Sequence, residues 1–254
     1  MQMTGNTILI TGGSSGIGRA LAEAFHKLGN HVIVTGRRKA LLDELTAANP
    51  GMSASVLDVQ NIGSLRAFAA STLHQHPKLN VLINNAGIMK PENLTDGSDN
   101  AAAIDSTIAT NLTAPLHLTA ALLPHFRKQA QATVMTVTSG LAFMPLALTP
   151  TYCATKAAIH SWTQSLRYQL RNSSVEVLEL APPYVQTELM GQQQTQDPRA
   201  MRLDDFIAEA MEILKTQPEA KEILVKRVYP LRFAAEKGPA GYDEFFKMLN
   251  DSMH

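Results

Sequence analysis

A doubly wound α/β fold, with a single parallel sheet and helices on both faces, is the architecture this chain predicts. Three observations lead there. Short β-branched runs alternate with amphipathic helical stretches, which calls for parallel strands joined by crossover helices. The run at 81–83, Val-Leu-Ile, has no polar alternation, as in a sheet covered on both sides. The first strand passes through a glycine-rich turn straight into a helix.

The bulk numbers agree with one domain spanning residues 1–254. Apolar residues make up 45% of the chain and charged residues 17%, and no linker-like break divides it. Lys+Arg and Asp+Glu both total 22, so no net field draws nucleic acid or an acidic membrane. The one cysteine, Cys153, excludes an internal disulfide and a multi-cysteine metal site and reads as a small buried thiol. His74 and His76 read as solvated, and no metal is expected. The first residues hold neither a basic n-region nor a long apolar stretch, so a cytoplasmic location is the expectation.

Thr7–Ile10 reads as the first strand. It runs into Thr11-Gly12-Gly13-Ser14-Ser15-Gly16-Ile17-Gly18, and an apolar helical stripe follows through Ala20, Leu21, Ala24, Phe25 and Leu28 before Gly29. Strand, glycine turn and helix together form the setting of a dinucleotide-binding Rossmann unit. Gly12 can make the tight turn, Gly16 admits a pyrophosphate at the helix N-terminus, and Gly18 permits close packing. The spacing is Gly-x-x-x-Gly-x-Gly, not Gly-x-Gly-x-x-Gly.

The second strand, 31–35, is followed by Gly36-Arg37-Arg38 and not by the acidic residue that would hold an adenosine ribose hydroxyl. Gly36 leaves room for a 2′-phosphate and Arg37 offers a planar fork for it, which favours NADP(H) while leaving NAD(H) open. Arg38 reads equally well as a second donor or as part of a solvated basic loop. A third strand is expected at 54–59, ending on Asp58 and Val59, with Asp58 placed to accept from an adenine amino group. A helix with Ile62, Leu65, Phe68, Ala69 and Leu73 on one face follows.

After the fourth strand comes Asn84-Asn85-Ala86-Gly87, small residues that let backbone lie against a ligand. Residues 101–126 read as one long helix or two joined segments. Pro115 has no N–H to give the carbonyl of Asn111, four residues earlier, so a local break is expected there. A fifth strand at 133–138 delivers Ser139 to its C-terminal end, where ligands of open α/β sheets bind. The next helix carries Tyr152 and Lys156, one turn apart and about 6 Å along the axis. An ammonium so close is expected to lower the tyrosine pKa from about 10 towards working pH, making Tyr152 a general acid or base. Val175–Leu180 is the sixth strand and ends in Ala181-Pro182-Pro183-Tyr184-Val185-Gln186-Thr187. The glutamine-rich stretch 189–202 suggests a mobile loop, with a substrate loop or lid at about 184–215. A helix at 203–215, an edge strand at 222–225 and a short helix at 242–250 complete the chain.

Three separated signals, the 11–18 glycine turn, Asn84-Asn85-Ala86-Gly87, and Ser139 with Tyr152-x-x-x-Lys156, closely resemble the short-chain dehydrogenase/reductase family. The resemblance covers about residues 5 to 190 and implies a carbonyl or secondary-alcohol substrate with NADP(H) or NAD(H). Tyr152 would be the acid–base, Ser139 would polarise the substrate oxygen, and Lys156 would tune Tyr152 and hold the nicotinamide ribose. Asn111 would hold a relay water through its carbonyl. Gly12, Ser14, Ser15, Gly16, Ile17, Gly18, Asp58, Val59, Asn85, Ala86, Gly87, Val185 and Thr187 would line the cofactor. Pro183 departs from the Pro-Gly common in the family, so backbone beside the nicotinamide is expected to differ. The stretch 213–225 resembles a bacterial branch whose members accompany lipoteichoic-acid D-alanylation genes.

A homodimer or homotetramer is implied too, through the helices at 101–126 and 152–170. Phe143, Met144, Leu146, Tyr184, Leu189, Met190, Met201 and Phe206 are candidates for an apolar substrate wall. Two other readings stay open at this point: a cofactor-binding sensor or scaffold without turnover, and an isomerase or dehydratase that recycles its cofactor internally.

Overall fold

The structure, a computed structural model, describes residues 1–252. In chain order the strands are β1 (Thr7–Ile10), β2 (His31–Gly36), β3 (Ser53–Val56), β4 (Leu79–Asn84), β5 (Ala132–Val137), β6 (Val175–Leu180) and β7 (Glu222–Ile223). The helices are α1 (Gly16–Lys27), α2 (Lys39–Ala48), α3 (Ile62–Gln75), α4 (Ala101–Ile108), α5 (Ala114–Phe126), α6 (Pro150–Gln169), α7 (Leu203–Thr216), α8 (Tyr229–Arg232) and α9 (Gly238–Asp251).

All seven strands form one parallel sheet in the order β3-β2-β1-β4-β5-β6-β7. The order reverses between β1 and β4, so their C-terminal ends diverge and open a crevice. Two apolar layers fill the space on either side of the sheet. One contains Leu21 and Phe25 of α1, Leu42 and Leu45 of α2, and Phe206, Ala210 and Leu214 of α7. The other contains Leu118, Leu122 and Phe126 of α5 with Leu166 of α6 and Leu170 beyond it. Burial on both faces is why β1 and β4 carry the unbroken apolar runs Ile8–Ile10 and Val81–Ile83. No helix among the described residues is long and apolar enough to cross a membrane.

Several expectations change at this level. β3 stops at Val56, so Asp58 and Val59 lie beyond the strand and not within it. The 101–126 region is α4 and α5 joined by a π-helical turn, Ala109–Thr113, in which the Ala114 N–H reaches the Ala109 carbonyl. Pro115 in the first turn of α5 explains that turn, since it cannot donate to Asn111. The stretch 189–202 is a packed segment: Gln192–Gln196 forms a 3₁₀ turn, and Gln194 is buried. Within 184–215, α7 belongs to the core through Phe206, Ile207 and Ala210.

Candidate active site

The crevice at the strand ends is a cleft of about 610 Å³, lined from the turn after β1 across to the segment after β6. Gly12 makes the turn with φ +66°, and a Cβ there would stand 2.7 Å from the Ala86 Cα. Gly16 has φ +53° and faces the Thr187 methyl across the cleft. Both conformations favour glycine. Asn85 closes this arrangement from β4. Its amide donates to the carbonyls of Thr11 (3.0 Å) and Gly12 (3.2 Å), while the N–H groups of Asn85 and Ala86 both reach Thr11 Oγ1 at 3.1 Å. Those two N–H groups therefore hold the turn together.

The N-terminus of α1 opens on the cleft, and the Ser15 side chain does not cap it. First-turn N–H groups at the positive end of a helix suit an anion. Ser15 Oγ instead accepts from Arg38 at 2.5 Å, and Arg38 also pairs with Glu188 at 3.6 Å. Arg37 lines the same end and makes no hydrogen bond or ion pair among the described residues. Ser14, Ile17, Gly18, Asp58, Val59 and Gly87 lie on the walls as well. Asp58 Oδ1 accepts from the Gln60 N–H at 3.0 Å, an Asx turn that orients it. The residues present thus fit an extended dinucleotide: a glycine-lined approach, an uncapped helix end and an unpaired guanidinium.

At the other end the structure brings Ser139, Tyr152 and Lys156 together, all buried on the cleft wall. Ser139 begins the 3₁₀ turn Gly140–Ala142, and its Oγ accepts from Leu141 N at 3.1 Å, leaving its own proton to donate. Lys156 Nζ donates to the Val137 carbonyl at 2.8 Å and lies 5.6 Å from the centre of the Tyr152 ring. Asn111 is buried behind them. Its side chain pairs with both backbone groups of Ile88 at 2.9 Å and reaches Thr155 Oγ1 at 3.3 Å. It anchors the chain just past Gly87.

The protonation states differ from expectation. Burial pushes Tyr152 up to about 12, opposed by its hydrogen bond with Ser139. Burial also lowers Lys156 to about 8, opposed by the charge of Glu179. The loss of water around both groups outweighs their mutual influence, so Tyr152 is a phenol here and not a tuned phenolate.

Pro183 lines the cleft without left-handed backbone, since no non-glycine residue among the described ones has positive φ. The chain after it is tied instead by bonds between Tyr184, Gln186 and Met201. Gln194 was not singled out by motif, yet it organises this wall. It donates to the Val185 carbonyl (2.7 Å) and Thr187 Oγ1 (3.2 Å) and accepts from Met190 N (2.9 Å). Of the proposed apolar wall, Leu146, Tyr184, Leu189 and Met190 line the cleft. Met144 and Phe206 are fully buried elsewhere, Met201 pairs with Val185, and Phe143 stacks edge-on against His160. Their places are taken by Met89, Leu141, Leu231 and Leu249. Leu231 and Leu249 come from the C-terminal region, where no motif marks them.

The short chain dehydrogenase family matches residues 6–198. The chain belongs to that family. It is 42% identical over 255 aligned positions to the uncharacterized oxidoreductase DltE of Bacillus subtilis, covering 98% of each chain. That likeness extends over the C-terminal region, 213–225 included, which the family match does not reach. Among solved structures, a short-chain dehydrogenase from Streptomyces avermitilis superposes with a TM-score of 0.82 at 26% identity and 98% coverage of both chains. One from Sphingobium yanoikuyae, in complex with NADPH, gives 0.78 at 28% identity, covering 96% of this chain and 94% of that one.

Proposed function

We propose that the protein is an NADP(H)-preferring oxidoreductase that interconverts a carbonyl and a secondary alcohol. The observation that carries this reading is the meeting of Ser139, Tyr152 and Lys156 at one end of a single cleft whose other end is the glycine turn with Arg37. NADPH bound in the Sphingobium relative supports the same cofactor class.

Gly12, Ser14, Ser15, Gly16, Ile17 and Gly18 would receive the phosphates, Arg37 a 2′-phosphate, and Asp58 with Val59 the adenine. Gly87, Val185 and Thr187 would flank the nicotinamide, which supplies the hydride when bound. Tyr152, protonated in this site, donates its proton to the carbonyl oxygen, and Ser139 donates a hydrogen bond to the same atom as charge develops. Lys156 stands behind Tyr152, stabilises the phenolate left after transfer and holds the ribose. Asn111 would hold a water that returns the proton. The Met89, Leu141, Leu146, Met190, Leu231 and Leu249 side chains favour a substrate with an apolar portion, under the 184–196 segment as its cover. The exposed Ile108 and Tyr168 and the alanines of α4 and α5 would form the dimer or tetramer faces.

Mixing the protein with NADPH or NADH and a panel of aliphatic carbonyls, sugars and charged ketones tests this reading. Oxidation of NADPH that Tyr152→Phe abolishes is expected. Tight NADPH binding with no turnover in either protein would support a sensor instead. Arg37→Ala should raise the KM for NADPH about tenfold and leave NADH unchanged; equal use of both cofactors by wild type would defeat the Arg37 argument.

A further inference from the structure

Behind the Ser139 turn lies a second set of charged side chains that the proposed chemistry does not use. Glu179 of β6 is completely buried. Its carboxylate accepts from Thr138 Oγ1 at 2.7 Å and meets His160 Nδ1 at 2.8 and 2.9 Å. The His160 ring, on α6 one turn beyond Lys156, also contacts Gln164 at 3.1 Å. Glu222 of β7 lies beside them and is gripped by Arg232 of α8 at 2.6 and 3.1 Å. The Arg232 guanidinium stacks on Phe143, and Phe143 packs edge-on against His160.

His160, Glu179 and Glu222 bring their ligand atoms within 4.8 Å of one another, but this is a poor cation site. Arg232 already occupies both oxygens of Glu222, and Thr138 with His160 engages Glu179. A closed chain of donors and acceptors is the better description. Its position matters because Thr138 immediately precedes Ser139, and because Lys156 is hydrogen bonded to Val137 on the same strand end.

We propose that Glu179 is a positioning residue for catalysis: through Thr138 it fixes the strand end that carries Ser139, and it supplies the buried negative charge that faces Lys156. The inference rests on the oxidoreductase reading above. The groups acting on Glu179 are His160 and Lys156 from α6, Thr138 beyond β5, Glu222 from β7 and Arg232 from α8. Of these, Glu222 is neutralised by Arg232, which leaves Glu179 as the anion felt by Lys156. Its charge opposes the loss of the Lys156 proton that burial promotes. In the reducing direction an ammonium beside Tyr152 is needed for proton donation, so Glu179 extends activity to higher pH.

Glu179→Gln keeps the size and an acceptor for Thr138 while removing the charge. In the cofactor-free full-length protein, Lys156 should then lose its proton about one pH unit lower, read by NMR of its side-chain nitrogen. In turnover, kcat near pH 8 should fall about fivefold and the alkaline limb should move down by the same unit, with KM for the carbonyl little changed. Thr138→Val should lower kcat without moving the Lys156 titration. An unmoved Lys156 titration in Glu179→Gln overturns the charge role, and unchanged kcat in Thr138→Val overturns the positional one. Should Glu179→Gln not fold, Glu179→Asp, which keeps the charge but draws the carboxylate back from Thr138 by one methylene, must lower kcat or the proposal falls. The titration needs neither cofactor nor substrate, so its failure is distinct from an absence of turnover in wild type, which would defeat the oxidoreductase reading itself.

Discussion

The Lys156 ammonium lies 5.6 Å from the centre of the Tyr152 ring, yet it does not hold the phenol in a low-pKa state. Both groups are buried, and each favours its neutral form for that reason. Tyr152 therefore bears its proton, as the proposed donation to a carbonyl oxygen requires.

That burial has a consequence for stability. The Lys156 pKa is about 8 in the folded protein and about 10.5 in the unfolded chain, so the unfolded state binds more protons between those values. Stability should rise as pH increases from 8 to 10, by about 2 kcal/mol from this group. Above pH 10 the raised Tyr152 pKa acts in the opposite sense, because the unfolded tyrosine ionises first. Urea unfolding of wild type and Lys156→Met at about pH 7 to 10 checks this. A slope that survives in Lys156→Met would show that other groups cause it.

Asn85→Ala removes the amide that serves the carbonyls of Thr11 and Gly12. The glycine turn should lose about 2 kcal/mol of stability and cofactor affinity should weaken about tenfold. Thermal unfolding and cofactor fluorescence titration measure the two effects. Unchanged affinity would mean that the turn holds its shape without Asn85.

Gln194→Ala leaves the Val185 carbonyl without its donor and frees Met190 and Thr187. We expect a cost of about 2 kcal/mol and a KM for cofactor raised about tenfold. A variant with weakened stability but normal KM would confine Gln194 to a folding role.

Glu92 bridges the loop after β4 to the start of α6, accepting from Thr151 N at 3.2 Å and Thr151 Oγ1 at 2.7 Å. It satisfies an orphan first-turn N–H and places a carboxylate at the positive helix end, one residue from Tyr152. Glu92→Ala should cost about 2 kcal/mol and lower kcat several-fold. Melting and turnover at saturating substrate test it, and wild-type values for both would remove Glu92 from the site's support.

β1, β2 and β4 are legible in their apolar runs Ile8–Ile10, Val32–Val34 and Val81–Ile83, and α1 in apolar residues that repeat at helical spacing. α2 is not, since only Leu42 and Leu45 of its ten residues are buried, too few to stand out as a period. The glutamine run at 189–202 looked unstructured for a related reason. Its order comes from Gln194, a polar residue buried by contacts to Val185 and Thr187, and composition does not reveal such partners. Alternation at 54–59 extends the sequence pattern of a strand to Asp58, past the point where pairing with β2 ends, at Gly36 opposite Val56.

By itself, the sequence determined what depends on neighbours along the chain. The doubly wound class follows from alternating periodicities, the turn from glycine at 12, 16 and 18, and the Tyr152–Lys156 pairing from one helical turn. Tertiary structure decided what depends on residues brought from afar. Asn250 meets Ala147 across 103 positions, and Leu231 and Leu249 come from the C-terminal region to line the cleft. Glu179 finds Thr138 across 41 positions and His160 across 19. The protonation of Tyr152 belongs to the same class, because desolvation is set by everything packed around a group, not by the lysine one turn away.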